Sequence, residues 1–273
     1  MSSSVIDVDE YFARIGHTGG RDATLANLHA LIVRHTQTIP FENLNPLAHW
    51  PVQLAPDALT QKLIRAQRGG YCFEQNLLLK SVLQQLGYHV TALAARVLWN
   101  LPESTVLMRS HMLLLVDLEE SPHVVDVGFG GLTLTGVLRL ETDSAQRTPH
   151  ESFRFVRQDG EFIMQACVRD TWRSLYRFDL QPQRDVDYEP VNWYLSTHPE
   201  SRFVNNLVAA RSTADGRHAL FNRELALHPL HGETQRRTLQ NVDELRRVLA
   251  EIFLIRVPES VEMEAALTRA FGQ

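Results

Sequence analysis

The sequence predicts an α+β fold in three parts, because the spacing of its apolar residues changes twice along the chain. Residues 1–87 carry the spacing of amphipathic helices. Residues 88–190 consist of short runs rich in β-branched, aromatic and aliphatic residues, separated by Gly, Pro, Asp and Asn. Residues 191–273 mix the two patterns. Helices followed by strands and then by a mixed segment are typical of an α+β protein.

Four helices are expected in the first part, each with an apolar face and a stop signal. Asp7 is a plausible cap for the first helix, and Gly16 a stop. A proline begins the third helix, where its missing N–H costs nothing. The helices are expected at residues 8–15, 25–39, 56–68 and 72–86.

Seven short strands are expected in the middle part, arranged as a barrel or a strongly bent antiparallel sheet. They are expected at residues 90–98, 111–118, 124–127, 132–138, 153–156, 162–168 and 175–178. The intervening segment 100–110 reads as a flexible loop and a reasonable place for substrate contacts.

The last part is expected to begin with a polar and aromatic segment at residues 192–207, followed by a strand at 218–225. Two helices then follow at residues 241–253 and 258–271. Asn241 and Glu244 stand three residues apart at the start of the first of them, which indicates a capping-box arrangement.

Composition excludes several classes of protein. Of 273 residues, 44% are hydrophobic and 22% charged, as in a globular protein with a substantial core. The net charge of -5 provides no basic surface, so we expect no nucleic-acid partner. The longest apolar stretches, such as residues 112–116, are too short to span a bilayer. Residues 1–10 contain three acids and no Lys or Arg, unlike a secretion signal, so we expect a cytoplasmic protein with free thiols at Cys72 and Cys167.

The most informative segment surrounds Cys72. This thiol follows Gly69 and Gly70 and stands at the start of the fourth predicted helix. A helix N-terminus carries partial positive charge, which favours the nucleophilic thiolate. A buried, inert cysteine behind a turn is the alternative interpretation. The position at a helix start that follows two glycines favours a nucleophile.

A cysteine nucleophile needs a base, and the base needs a group that orients it. His111 opens an apolar strand, and Asp126 ends the next one, so the fold could bring both to Cys72. A surface histidine and an ordinary turn acid are the alternatives. His123 is a rival base, but Ser121 and Pro122 before it indicate a loop tip.

Two other clusters carry weaker functional signals. Residues 128–131, Gly-Phe-Gly-Gly, lack the Gly-Lys-Ser/Thr of a phosphate-binding loop, so they form either a tight turn or a place where a ligand meets bare backbone. His228 and His231 have no supporting Cys/His cluster, so we expect no metal site.

These residues make the chain resemble the arylamine N-acetyltransferase family. The shared motifs are Pro-Phe-Glu-Asn-Leu at 40–44, Arg-Gly-Gly-x-Cys at 68–72, His-x-Leu-Leu-Leu-Val at 111–116, Val-Asp-x-Gly-Phe-Gly at 125–130, and the segment 192–203. The resemblance runs from about residue 8 to at least residue 207. Because the chain lacks the long insertion of eukaryotic members, it resembles a bacterial-type member.

The resemblance implies a fold and an activity. It implies a helical bundle (1–87), a β-barrel (88–190) and a helical linker with an α/β lid (191–273), around a core similar to papain-like and transglutaminase-like enzymes. It implies Cys72 as nucleophile, His111 as base and Asp126 as orienting acid. The expected reaction is ping-pong transfer of an acetyl group from acetyl-CoA to arylamines and arylhydrazines, in a monomer or homodimer.

The resemblance also suggests binding residues. Phe129 and Phe203 are expected to wall the acceptor site, and Gly128, Gly130 and Gly131 to border the path of CoA. The same triad could instead serve a papain-like or transglutaminase-like hydrolase, or an amide synthase that closes a macrocycle. A non-catalytic binding module is disfavoured, since it has no need of this combination.

Overall fold

The computed structural model describes residues 6–118 and 121–272. Residues 1–5 lie outside this description. They are half of the 1–10 stretch from which we expected no secretion signal. The first part contains α1 (Val8–Ile15), α2 (Leu25–Thr38), β1 (Phe41–Glu42), α3 (Leu44–Leu47), α4 (Pro56–Leu59) and α5 (Cys72–Gln85). A π-helical segment, Thr60–Arg65, continues α4.

The four predicted helices are confirmed. Asp7 accepts hydrogen bonds from the backbone N–H groups of Asp9 and Glu10, and Gly16 ends α1 with φ 65°. The third predicted helix changes from α to π geometry and ends at Arg65, three residues earlier than expected. The early end leaves Arg68 in the segment that leads to Cys72.

The middle part forms one antiparallel sheet of eight strands that is nearly closed into a barrel. Its strands are β2 (His89–Val97), β3 (His111–Leu118), β4 (Ser121–Val125), β5 (Leu138–Arg139), β6 (Gln146–Arg147), β7 (Ser152–Gln158), β8 (Glu161–Val168) and β9 (Thr171–Phe178). They are ordered β5-β4-β3-β2-β9-β8-β7-β6. The Gln146 side chain bonds to both backbone groups of Arg139, each at 2.8 Å, and so links the two edge strands.

Two predictions for this sheet are wrong. Residues 132–138 form turns and irregular backbone that lead into β5. Thr133 Oγ1 accepts a hydrogen bond from the Gly130 N–H at 2.8 Å, so the backbone turns here instead of pairing with the sheet. The buried side chains of Leu134 and Val137 produced the strand-like pattern. His123 lies within β4 and is buried rather than at a loop tip, because Pro122 pairs with Asp117 and extends the hairpin.

The last part combines helices with a second sheet. A 3₁₀ turn (Asp185–Tyr188) precedes α6 (Glu189–Thr197) and α7 (Arg202–Asn205). The strands are β10 (Val208–Thr213), β11 (Gly216–Phe221), β12 (Glu224–Pro229) and β13 (Gln235–Thr238), followed by α8 (Val242–Glu251) and α9 (Val261–Phe271). The single strand predicted at 218–225 is divided into two, because Asn222 adopts φ 52° and turns the chain between β11 and β12.

The second sheet also includes a strand from the first part of the chain. β1 pairs antiparallel with β10, with Phe41 opposite Ala210. The division at residues 87 and 190, the C-terminal lid and the papain-like core stay predictions. In the part of the chain that the structure describes, no helix has the length and apolar character needed to cross a membrane.

Candidate active site

The segment before Cys72 is fixed to the backbone of residues 40–42. Gly70 N–H donates to Pro40 O at 3.3 Å, and Glu42 N–H donates to Gly70 O at 3.1 Å. A Cβ atom on Gly69 would lie 2.0 Å from Pro40 O, so only glycine fits there. The glycine pair therefore allows two backbone segments to pack against each other immediately before Cys72 in the chain.

Two buried ion pairs also fix this segment in place. Arg68 Nε donates to Glu42 Oε1 at 2.8 Å, and Lys62 Nζ lies 2.6 Å from Glu74 Oε1. Burial opposes the charge of Glu42, but Arg68 and Lys62 keep its pKa below the usual value. Glu74 also accepts the Tyr71 N–H at 3.1 Å, which caps α5. Breaking either pair would leave an uncompensated buried charge, so these contacts fix the start of α5.

A second buried chain of hydrogen bonds joins α1 and α2 to α5. Tyr11 Oη lies 2.8 Å from His35 Nδ1, and His35 Nε2 lies 2.6 Å from Gln75 Oε1. Gln75 Nε2 then donates to Pro40 O at 2.8 Å. Burial lowers the pKa of His35 to about 4, so its ring is neutral near pH 7. The neutral ring can accept from Tyr11 and donate to Gln75, which connects the helical part to the Cys72 segment.

His111 and Asp126 form a buried pair at the ends of neighbouring strands. His111 begins β3, Asp126 follows β4, and His111 Nε2 lies 2.6 Å from Asp126 Oδ2. Burial opposes the charge of His111, but Asp126 and then Cys72 raise its pKa to about 10. Burial also opposes the charge of Asp126, but His111 and hydrogen bonds from Asn76 and the Gly128 N–H lower its pKa. The pair is therefore stable as imidazolium and carboxylate.

Cys72 lies close enough to the His111 ring to help raise its pKa. Its Sγ also lies 3.7 Å from Ser110 O, at the end of the 100–110 loop. All three side chains are almost entirely buried, with 4% of Cys72, 3% of His111 and 1% of Asp126 exposed. The structure thus brings together three residues that are separated by up to 54 positions in the sequence.

Aromatic rings enclose the imidazole. The ring centroids of Phe129 and Tyr176 lie 5.2 and 4.9 Å from that of His111. Burial, followed by the charge of Asp126, raises the pKa of Tyr176 well above its usual value. Its hydroxyl has no hydrogen bond of normal geometry to the described residues. These rings keep water from the His111–Asp126 pair and so strengthen the attraction within it.

Asn76 is a residue of this site to which the sequence interpretation gave no role. It lies one turn after Cys72 on α5, and its Nδ2 donates to Asp126 Oδ1 at 3.0 Å and to Met112 O at 2.8 Å. Its Oδ1 accepts the Val127 N–H at 3.2 Å. Asn76 therefore ties the helix that carries Cys72 to both strands that carry the pair. An amide on the buried face of an apolar helix was the signal that could have revealed it.

The predicted binding residues occupy different environments. Phe203 packs on Tyr71 and Phe41, with ring centroids 5.6 and 6.0 Å away, and no ring contact joins it to His111 among the described residues. Gly130 has φ 90° and faces the Phe41 ring, whereas Gly131 is exposed with open space around it. Phe129 is thus the predicted wall residue that touches the imidazole.

Gly128 is expected to tolerate no side chain. A Cβ there would lie 2.6 Å from Cys72 Cα and 2.8 Å from Asn76 Nδ2. Gly128→Ala is therefore expected to cost about 1–3 kcal/mol of unfolding free energy and to slow the reaction at Cys72 at least about tenfold, because Cys72 must move. Thermal unfolding and initial rates test this. Gly131→Ala is the matched control, and an equal loss of stability in both variants would contradict the explanation.

Within residues 6–118 and 121–272, no group of three or more His, Cys, Asp or Glu side chains could hold a metal ion. The expectation of a metal-free site rests on the sequence argument.

Comparison with known proteins gives the family. The model of the N-acetyltransferase family matches residues 24–261. An arylamine N-acetyltransferase of Mycobacterium tuberculosis is 45% identical over 268 residues, which cover 97% of this chain and 94% of that protein. The chain belongs to the arylamine N-acetyltransferase family. The resemblance found in the motifs is thereby confirmed, and this family member is an acetyltransferase.

Other relatives agree in sequence and fold. An Escherichia coli arylamine N-acetyltransferase is 38% identical over 254 residues, covering 93% of this chain and 90% of that protein. The solved structure of the M. tuberculosis enzyme has a TM-score of 0.92 at 44% identity, covering 96% of this chain and 99% of that one. A Mycobacterium marinum arylamine N-acetyltransferase in complex with CoA has a TM-score of 0.93 at 39% identity, covering 97% and 99%.

Proposed function

We propose that the protein transfers an acetyl group from acetyl-CoA to an arylamine or arylhydrazine through an acetyl-Cys72 thioester. One observation carries this proposal: Cys72 begins α5 beside His111, whose Nε2 lies 2.6 Å from Asp126 Oδ2. Family membership selects acetyl transfer from the reactions that such a triad can perform. A relative's structure in complex with CoA supports acetyl-CoA as the donor.

The first half-reaction forms the acyl enzyme. With Nε2 bound to Asp126, Nδ1 is the ring nitrogen left to hold the proton of Cys72. The Cys72 thiolate attacks the thioester carbonyl, a Cys72 S–C bond forms, and the C–S bond to CoA breaks. His111 gives its proton to the leaving CoA sulfur and becomes neutral.

The second half-reaction restores the enzyme. The amine nitrogen attacks the carbonyl of acetyl-Cys72, a C–N bond forms and the Cys72 S–C bond breaks. His111 accepts the proton that the amine loses, so the thiolate and imidazolium return together. Asp126 keeps its negative charge throughout and stabilises each imidazolium that forms.

The start of α5 offers a donor for the oxyanion. The backbone N–H of Cys72 has no hydrogen-bond partner within the described ranges, as is usual in the first turn of a helix. When the carbonyl carbon is bonded to Cys72 Sγ, its oxygen would lie near this N–H, which favours the negative charge of the tetrahedral intermediate.

Aromatic acceptors suit the walls of this site. Phe129 touches the His111 ring, and Phe203 lies against Tyr71 next to Cys72. Weakly basic aryl nitrogens are neutral near pH 7, so they enter an apolar cleft without the cost of burying a charge. Of the three glycines predicted to border the path of CoA, Gly131 is exposed and leaves room for a ligand beside its backbone, whereas Gly128 and Gly130 are buried.

Initial-rate kinetics test the proposed sequence of steps. With an arylamine and acetyl-CoA both varied, double-reciprocal plots are expected to give parallel lines, because CoA leaves before the amine reacts. The enzyme is also expected to exchange labelled CoA into acetyl-CoA without any amine. Intersecting lines together with no exchange would show direct transfer in a ternary complex and would contradict the acyl-enzyme proposal.

A further inference from the structure

A cavity of about 700 Å³ lies beside the segment that carries Cys72. Neither Cys72, His111 nor Asp126 lines it, whereas Arg68 and Glu74 do. Its walls come from the α3–α4 region, the π-helical segment and residues 256–259 before α9. The volume is within the range of small-molecule sites in proteins, about 300–1,000 Å³.

The polar groups of this cavity are unevenly satisfied. The Glu74 oxygens already accept from Lys62 Nζ and the Tyr71 N–H, and the Asn45 Oδ1 accepts from Arg68 Nη2 at 3.0 Å. In contrast, some N–H groups of Lys62 and Arg68 have no acceptor among the described residues. Lys62 has three N–H groups and one described partner, and Arg68 Nη1 has none in residues 6–118 and 121–272.

These surplus donors are held in place by the protein. The Arg68 side chain is 5% exposed and is fixed by Glu42, and the Lys62 side chain is 14% exposed. A ligand with acceptor oxygens would satisfy them without reorganising the site, which is the condition for strong charge-assisted hydrogen bonds. A third cation, Arg256, lies exposed in the wall and is bonded to Gln67 Oε1 at 2.7 Å.

Much of the remaining wall is apolar, although Gln53, Gln61 and Glu259 also line it. Trp50, Pro51, Val257 and Pro258 line the cavity together with the cations. An indole face and proline rings provide a surface on which a planar ring can stack. Anion-binding donors beside such a surface specify a ligand with a negative group at one end and a flat apolar body at the other.

We propose that this cavity binds a small organic anion with a flat apolar body, such as an aryl carboxylate, at a site separate from the Cys72 site. The carboxylate would accept hydrogen bonds from Lys62 and Arg68, and the ring would lie against Trp50. The proposal does not depend on the acetyl-transfer mechanism, because no residue of the triad contributes to it.

Binding of benzoate tests this proposal, measured by calorimetry on the full chain. Saturable binding is expected, and benzamide, which is neutral and has nearly the same shape, is expected to bind at least about tenfold more weakly. Inorganic phosphate, which has charge but no flat body, is expected to bind more weakly than benzoate. Equal affinities for benzoate and benzamide would overturn the proposal, as would an absence of saturable binding.

Variants locate the site. Arg256→Gln and Lys62→Gln are each expected to weaken benzoate binding about fivefold to tenfold. Arg246→Gln, which removes an equal charge on α8 away from the cavity, and Phe129→Ala, at the Cys72 site, are expected to leave it within about twofold. Arg256 is exposed, so its variant tests the proposal even if Lys62→Gln fails to fold. Loss of binding in Phe129→Ala with normal binding in Arg256→Gln would place benzoate at the Cys72 site and overturn the proposal.

Discussion

Cys72→Ser is expected to lose acetyl transfer by about three orders of magnitude or more. The serine hydroxyl holds its proton far more strongly than a thiol, so His111 cannot maintain it as an anion. The backbone around residue 72 should not change, because the oxygen is smaller than the sulfur that it replaces. Initial rates with an arylamine and acetyl-CoA measure the effect, and thermal unfolding verifies that the variant is folded.

Cys167→Ser is the matched control for this loss. Cys167 lies in β8, half-buried and opposite Trp172, and among the described residues no hydrogen bond joins it to the predicted triad. Transfer at the parent rate is expected for this variant. If Cys72→Ser kept the parent rate, or if Cys167→Ser lost it, the nucleophile would be wrongly assigned.

Asp126→Asn is expected to lower the transfer rate by about three to four orders of magnitude. The carboxylate fixes the Nε2–H tautomer of His111 and raises the pKa of its ring. An asparagine amide is neutral and has a donor NH2 group beside its acceptor oxygen. The His111 ring can therefore turn, and no negative charge stabilises the imidazolium. Unlike the loss in Cys72→Ser, this loss comes from the base and its orientation.

The pH profile distinguishes this explanation from simple unfolding. A raised pKa keeps His111 protonated up to high pH, and removing the negative charge lowers that pKa. The residual activity of Asp126→Asn is therefore expected to fall at a lower pH than that of the parent as pH rises. Asp117→Asn, an exposed acid on β3, is expected to keep the parent profile. An unshifted profile in Asp126→Asn would contradict the role of Asp126.

The position of the nucleophile could be predicted from the sequence because its signals are local. Two glycines and an apolar helix pattern are both contained within residues 69–86. The approach of His111 and Asp126 depends on the register of β3 and β4, where Leu114 lies opposite Val125. No local pattern encodes that register, so the motifs of the family supplied the association that spacing could not.

Other features were missed because packing rather than periodicity decides them. β1 has only two residues and exists because Phe41 and Glu42 pair with β10, almost 170 positions away in sequence. The 132–138 segment has apolar side chains that the core buries, yet its backbone bonds within turns. Asn76 looked like a helix residue, and its role emerges only when Asp126 and Met112 surround it.

Intact-mass spectrometry after incubation with acetyl-CoA alone detects the proposed acyl enzyme itself. A gain of one acetyl group is expected, located on Cys72 by peptide mapping. It is expected to be absent in Cys72→Ser and to be removed when an arylamine is added. A protein that transfers acetyl to an arylamine at the normal rate but never carries an acetyl group on Cys72 would contradict the proposal.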